Sequence, residues 1–170
     1  LAVATGIAEA IDRLDGSPAL RVGILTGAGS AFCSGMDLKA FLTGEMPMLP
    51  GRGFGGLVEA PPQKPLIAAI EGYAVGGGLA LALACDWRVP ADDAFVSLPE
   101  IALGIPLTWG TIPRLVNLVG PAKAKRLTIL CERVPAAEAL AMGLVDYVSE
   151  PGRALEKAGE VAATVLSMPR

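Results

Sequence analysis

The chain has 170 residues, of which 52% are apolar and 18% charged, with a formal charge of −3. This is one domain's worth of protein, with enough apolar material for a core that needs no disulfide or metal staple. The charge excludes the basic footprint of a nucleic-acid binder, and the absence of histidine excludes imidazole bases, Ser-His and Cys-His nucleophile pairs and histidine metal sites. An acid–base enzyme built from this sequence must therefore use a carboxylate. Cys33, Cys85 and Cys131 are odd in number and far apart, with no C-x-x-C pair. They read as reduced, mostly buried thiols, which fits an intracellular, cytoplasmic protein, and no targeting segment is visible.

From the start of the chain, apolar side chains at Ile7, Ala8, Ile11 and Leu14 predict an amphipathic helix over 4–14, stopped by Asp15-Gly-Ser-Pro18. Residues 21–26 read as a short buried strand running into the turn Gly27-Ala-Gly29. Between Phe41 and Pro65, glycine and proline crowd together without periodicity, which predicts a loop or a loosely helical lid. A buried strand is expected over 65–70, ended by Glu71-Gly72-Tyr73. The alternating Leu/Ala run 79–85 predicts a helix. Its apolar surroundings, Gly72 to Cys85, fall short of the roughly 18 residues that suggest a membrane span. Strands are expected over 87–90 and 94–97, helices over 121–130 and 135–142, a strand over 144–148 and a last amphipathic helix over 153–167. Helix, buried strand and glycine turn in succession are the cadence of α/β architecture. No internal repeat or linker is evident. Residues 1–150 read as the core domain and 151–170 as the start of a C-terminal helical region.

Three segments could carry chemistry. The first is Leu25-Thr-Gly-Ala-Gly-Ser-Ala-Phe-Cys-Ser-Gly-Met-Asp-Leu38. As a dinucleotide-binding turn it fails, because the third glycine of G-x-G-x-x-G falls at Phe32. A short-chain dehydrogenase pair is missing too, since Tyr73 and Tyr147 are followed at the lysine position by Gly77 and Pro151. The second is Gly72-Tyr-Ala-Val-Gly-Gly-Gly-Leu-Ala-Leu81. Three glycines before a helix leave N–H groups unpaired and unshielded at the positive end of the helix dipole, where an anion or a developing oxyanion can bind. Close helix–strand packing explains the same glycines equally well. The third is Leu98-Pro-Glu-Ile-Ala-Leu-Gly-Ile-Pro106, where Glu100 is a lone carboxylate in an apolar run. Partial burial would raise its pKa and suit a proton shuttle; an exposed turn glutamate or a structural ion pair is the plain alternative.

In this order and at these intervals, the three segments resemble the crotonase (enoyl-CoA hydratase/isomerase) superfamily. The pattern running from Arg114-Leu through Gly120-Pro-Ala-Lys-Ala to Ala141-Met-Gly-Leu-Val-Asp146 resembles it as well, so the likeness covers about Thr5 to Val148. It implies a crotonase-like spiral of ββα units of the ClpP/crotonase type, incomplete at both termini. The family's N-terminal strand and C-terminal helices have no counterpart here. The resemblance also implies an acyl-CoA thioester substrate, with coenzyme A entering as part of the substrate and no separate cofactor or metal. Carried over by position, the amides of Met36 and Gly77 would hold the thioester oxygen and Glu100 would be the acid–base residue. Ala31, Cys33, Ser34, Gly35, Asp37, Leu38 and Lys39 would line the coenzyme A region. Homotrimers or hexamers are implied, with no membrane or nucleic-acid partner.

One departure shapes the expected activity. The hydratases of this family hold and activate water with two glutamates, and the position of the first is Ala80 here. A single glutamate resembles the enoyl-CoA isomerases, which makes a double-bond shift the leading expectation. Hydration of a 2-enoyl-CoA and non-catalytic acyl-CoA binding are the alternatives. The aspartate of the dehalogenase- and naphthoate-synthase-like members is absent from Leu107-Thr108-Trp109. Glu71 and Asp86 lie near the motif and are expected to be structural. A ClpP-like protease would need histidine.

Overall fold

The structure, a computed structural model, describes residues 1–169 and, of Leu38, the backbone alone. In chain order the elements are α1 (Ala2–Gly16), β1 (Gly23–Thr26), α2 (Leu38–Leu42), a hairpin of β2 (Met48–Leu49) and β3 (Gly53–Phe54), β4 (Leu66–Ile70), β5 (Tyr73–Val75) and α3 (Gly77–Leu83). There follow β6 (Trp87–Pro90), β7 (Phe95–Ser97), a 3-10 turn (Ile101–Leu103), α4 (Thr111–Ile129), β8 (Val134–Pro135), α5 (Ala136–Met142) and α6 (Ala154–Ser167).

Two small sheets organise the chain. One is parallel, in the order β1-β4-β6; the other has the order β5-β7-β8, with β5 and β7 parallel and β8 antiparallel to β7. From β4 to β7, successive strands therefore alternate between the two sheets. β4 and β5 precede α3, and β6 and β7 precede the 3-10 turn and α4. β1 is followed by a single parallel bridge, Cys33 to Ala74, and then by α2. This is a ββα unit repeated along the chain, although no repeat is legible in the residues. What recurs is the path of the backbone between two sheets, which many different side chains can fill.

β4 is the centre of the packing. Leu66, Ala68 and Ile70 belong to the main core with α3 and α4, while Ile67 and Ala69 on the opposite face pack with Val89 against Ala154, Ala158 and Ala162 of α6. Burial on both faces is why the strand reads as an unbroken apolar run rather than an alternating one. Small alanines at four-residue spacing on α6 allow the helix to approach the sheet closely. Among the described residues, no helix is long and apolar enough to cross a membrane.

Four sequence expectations need correction. The 41–65 segment is no loose lid: it forms the β2–β3 hairpin, and Phe54, Leu57 and Val58 are buried in the core. Residues 144–148 form no strand. The amides of Leu144 and Val145 donate to the Ala139 carbonyl, and those of Asp146 and Tyr147 to the Arg88 carbonyl, so the backbone is committed to a helix end and to one arginine. Only Ser149 makes a bridge, to Ala91. The helix expected over 121–130 is present and opens at Pro121, but a further helical half from Thr111, set off by Gly120 (φ 77°, ψ 164°), precedes it and was not expected. β1 is half-buried rather than buried, since it has only β4 beside it.

Candidate active site

The two sheets bring the second and third motifs together. Val75 pairs with Ser97, and the Gly76 amide donates to the Ser97 carbonyl at 2.9 Å. Three residues beyond Ser97 the chain turns, held by the Leu103 and Ile105 amides donating to the Glu100 carbonyl at 3.0 and 2.9 Å. That turn lays the Glu100 carboxylate over Gly76. A Cβ added at Gly76, whose φ is 56°, would lie 2.8 Å from Oε1 of Glu100.

Each member of the glycine triplet serves a close approach. A side chain at Gly77 would strike the ring of Phe54 at 2.5 Å, and one at Gly78 would fall on the carbonyl of Cys33. Packing thus explains the glycines, but it leaves the Gly77 amide free. Among the described residues, neither the Met36 nor the Gly77 N–H has an internal acceptor. Gly35, the residue before Met36, packs against Gly77: a Cβ added there would sit 3.1 Å from the Gly77 nitrogen. Gly35 has a φ of 92° and its amide donates to Sγ of Cys33 at 3.3 Å, which fixes the turn that presents Met36. Burial pushes the Cys33 thiol up, opposed by the Gly35 amide, so the sulfur is a protonated structural acceptor rather than a nucleophile.

These pieces surround one cavity of about 90 Å³, whose walls include Ser34, Gly35, Met36, Gly76, Gly77 and Glu100. Among the described residues, Glu100 is the only titratable side chain on its wall. Oε2 of Glu100 is buried and, among the described residues, has no hydrogen-bond partner. Burial raises the Glu100 pKa above its ordinary 4.5, opposed by its own backbone amide. An unpaired N–H at the start of α3, a second on the loop before α2 and a carboxylate with one buried oxygen share this cavity, and such a set can stabilise negative charge on an oxygen while a proton moves nearby.

The other residues singled out from the sequence divide clearly. Asp37 caps α2, its Oδ1 accepting from the Lys39 and Ala40 amides at 2.9 and 3.2 Å. Ala31, Cys33, Asp37 and Lys39 are not among the residues of the cavity wall; the Leu38 side chain lies outside the described residues. Glu71 accepts from the Gly152 and Ala154 amides at the start of α6 (3.0 and 2.7 Å), and Asp86 from the Leu66 amide at 2.8 Å, so both carboxylates tie the fold. Ala80 is 2% exposed and packed in the core, away from the cavity.

The far wall was not anticipated. Trp109 lines the cavity with Leu103, Ile105 and Leu107, and its indole stacks on Phe54 with centroids 4.3 Å apart and planes 15° from parallel. Trp109 has a φ of 58°, a left-handed conformation costing a bulky residue about 1–2 kcal/mol. Its only sequence signal was an aromatic in an otherwise aliphatic stretch. Its partner Phe54 sat in a segment too rich in glycine and proline to be read as core.

Residues 1–170 match the enoyl-CoA hydratase/isomerase family. The chain belongs to this family. It is 45% identical over 159 residues to carnitinyl-CoA dehydratase of Salmonella arizonae, covering 91% of this chain and 60% of that protein. With crotonyl-CoA hydratase of Syntrophomonas wolfei the identity is 37% over 169 residues, covering 95% and 64%. The crystal structure of enoyl-CoA hydratase EchA1 from Mycobacterium marinum matches with a TM-score of 0.95 at 46% identity, over 98% of this chain and 66% of that one. The crotonase fold is thus the fold of this member of the family, of which the chain supplies the N-terminal part. It spans 60% and 64% of the length of these two curated relatives.

Proposed function

We propose that this protein acts on an acyl-CoA thioester by enolate chemistry, shifting a double bond with Glu100 as its single base. The observation that carries the proposal is the Glu100 carboxylate: half-buried, raised in pKa, with one oxygen unpartnered, beside two free amides. In this reading the thioester oxygen sits between the Met36 and Gly77 N–H groups. The Glu100 carboxylate takes a proton from C2 of a 3-enoyl-CoA. The C–H electron pair forms a dienolate whose negative charge is shared with that oxygen. The protonated Glu100 then returns the same proton to C4, and the electrons close to a 2,3 double bond conjugated with the thioester. No water and no second carboxylate enters. This agrees with Ala80 being a core residue where a second glutamate would be needed.

A second reading is favoured by the names of the relatives, which are hydratases and dehydratases of carnitinyl-CoA and crotonyl-CoA. In it, water adds to a 2-enoyl-CoA and Glu100 works with a group other than Ala80. The two readings separate in one assay that offers a 3-enoyl-CoA and a 2-enoyl-CoA independently. Conversion of the first to the conjugated 2-enoyl thioester, with no hydroxyacyl product, is the expected result. A 3-hydroxyacyl-CoA from the second overturns the isomerase in favour of the hydratase. Binding without turnover of either leaves a non-catalytic acyl-CoA binder.

By the family resemblance, Ala31, Cys33, Ser34, Gly35, Asp37, Leu38 and Lys39 are proposed to lie along the coenzyme A moiety. The family resemblance supports homotrimers or pairs of trimers, which light scattering of the purified protein would test.

A further inference from the structure

We propose that Trp109 is the specificity-determining residue of the acyl subsite, its indole forming a blunt end that restricts the protein to short acyl chains. The inference rests on the acyl-CoA reading above and names the substrate class within it. Trp109 and Gly110 are successive left-handed residues, with φ of 58° and 68°. Glycine would adopt this backbone at Trp109 without strain, so what tryptophan adds there is its ring. The ring is on the wall of the same cavity as Glu100.

Its position is over-determined. Nη1 of Arg114 donates to the Trp109 carbonyl at 3.2 Å and Nη2 to the Val58 carbonyl at 2.7 Å, tying the loop to the buried segment that follows β3. Phe54, 3% exposed, takes one face of the indole. The same phenyl ring is what a side chain at Gly77 would strike. One aromatic stack therefore backs both the free Gly77 amide and the apolar end wall, setting the distance from the amide to the place where an acyl chain must stop. Leu103, Ile105 and Leu107 complete an apolar lining that suits an unsubstituted hydrocarbon tail.

The decisive measurement compares kcat/KM for four-carbon and ten-carbon enoyl-CoA substrates in the wild type, Trp109→Gly and Trp109→Phe. The ten-carbon to four-carbon ratio is expected to rise at least about tenfold in Trp109→Gly, with Trp109→Phe between, since each methylene accommodated in an apolar pocket changes discrimination by roughly that factor. A ratio equal in all three proteins, with both substrates falling together, would overturn the proposal and leave the indole as packing for Phe54. A second measurement does not depend on the glycine variant folding. Trp87→Phe leaves Trp109 as the sole indole, because the chain has two tryptophans. Its emission should respond to a four-carbon 2-enoyl-CoA and not to coenzyme A alone; emission unmoved by the acyl thioester contradicts the contact. Absence of wild-type turnover on every enoyl-CoA defeats the catalytic reading, while this titration still decides whether the acyl group reaches Trp109.

Discussion

Arg88 lies in β6 and Glu100 just beyond β7, strands of the two different sheets, and both carry polar atoms out of water, yet they are treated in opposite ways. The Arg88 side chain is 2% exposed and every nitrogen is used: Nε donates to the Leu144 carbonyl (2.9 Å), Nη1 to the Cys85 carbonyl (2.9 Å), and Nη2 to Asp146 (2.7 Å) and the Asp86 carbonyl (3.3 Å). Oδ2 of Asp146 also accepts from the Arg88 amide at 2.8 Å. Glu100, by contrast, has a buried oxygen with no partner among the described residues. A buried polar group left unsatisfied costs free energy, and folded chains pair such groups wherever they can. The comparison teaches that the satisfied cluster is a clamp, joining β6 to the 144–147 segment, whereas the unsatisfied carboxylate holds no part of the fold in place through its buried oxygen.

That contrast can be broken by substitution on either side. The largest effect is expected from Glu100→Gln. Removing a general base should lower kcat about 10²- to 10⁴-fold in a steady-state assay while KM holds. Turnover within a factor of a few of wild type would leave Glu100 a spectator. The next largest comes from the clamp. Asp146→Ala strands the Arg88 guanidinium and should cost about 3 kcal/mol in denaturant unfolding, the low end for a broken buried pair because the Asp146 side chain keeps 30% exposure. Activity per folded molecule should not change, and a loss of kcat without a loss of stability would show that the two regions are not independent. Glu71→Ala, which removes the acceptor for the Gly152 and Ala154 amides, should cost about 1 kcal/mol, as lost helix N-caps do, and expose the α6 start to hydrogen exchange.

The smallest effect sharpens the comparison through pH. Folding raises the Glu100 pKa, so the unfolded chain releases this proton first as pH rises. Stability attached to Glu100 is therefore full below the ordinary carboxyl value of 4.5 and is lost as pH climbs through the raised folded value. Glu100→Gln cannot titrate. Its melting temperature relative to wild type should be flat at the acid end, rise through the folded pKa and then level off. Turnover by wild type should grow over the same window, as the base ionises. A difference in melting temperature that does not vary with pH would mean that Glu100 is solvated like any surface glutamate.

Much of the site was readable from residue order. The glycine triplet ahead of a helix, the lone glutamate in an apolar run and the Phe-Cys-Ser-Gly-Met turn all carry their signal locally, in residue types whose backbone or charge behaves unusually wherever it is placed. The alternation of α1, with Ala4, Ala8, Ile11 and Leu14 buried, and the unbroken apolar run of β4 are local signals of the same kind. The absence of histidine and the alanine at position 80 narrowed the chemistry before any fold was known.

What the residues in order could not supply was which segments meet. Whether the triplet glycines bind or pack depends on Glu100, Phe54 and Cys33 arriving against Gly76, Gly77 and Gly78, and each of those partners is more than 20 positions away. Residues 144–148 have the apolar content of a strand, but Arg88 takes their hydrogen bonds first. Phe54 and Trp109 look like a loop residue and a stray aromatic until the hairpin and α4 stack them behind the cavity. Propensity, capping and periodicity act over a few residues and are written in the sequence. Contacts between distant segments form only when the whole chain closes, and they alone decide that Oε2 of Glu100 has no partner among the described residues and that Trp109 lines the cavity.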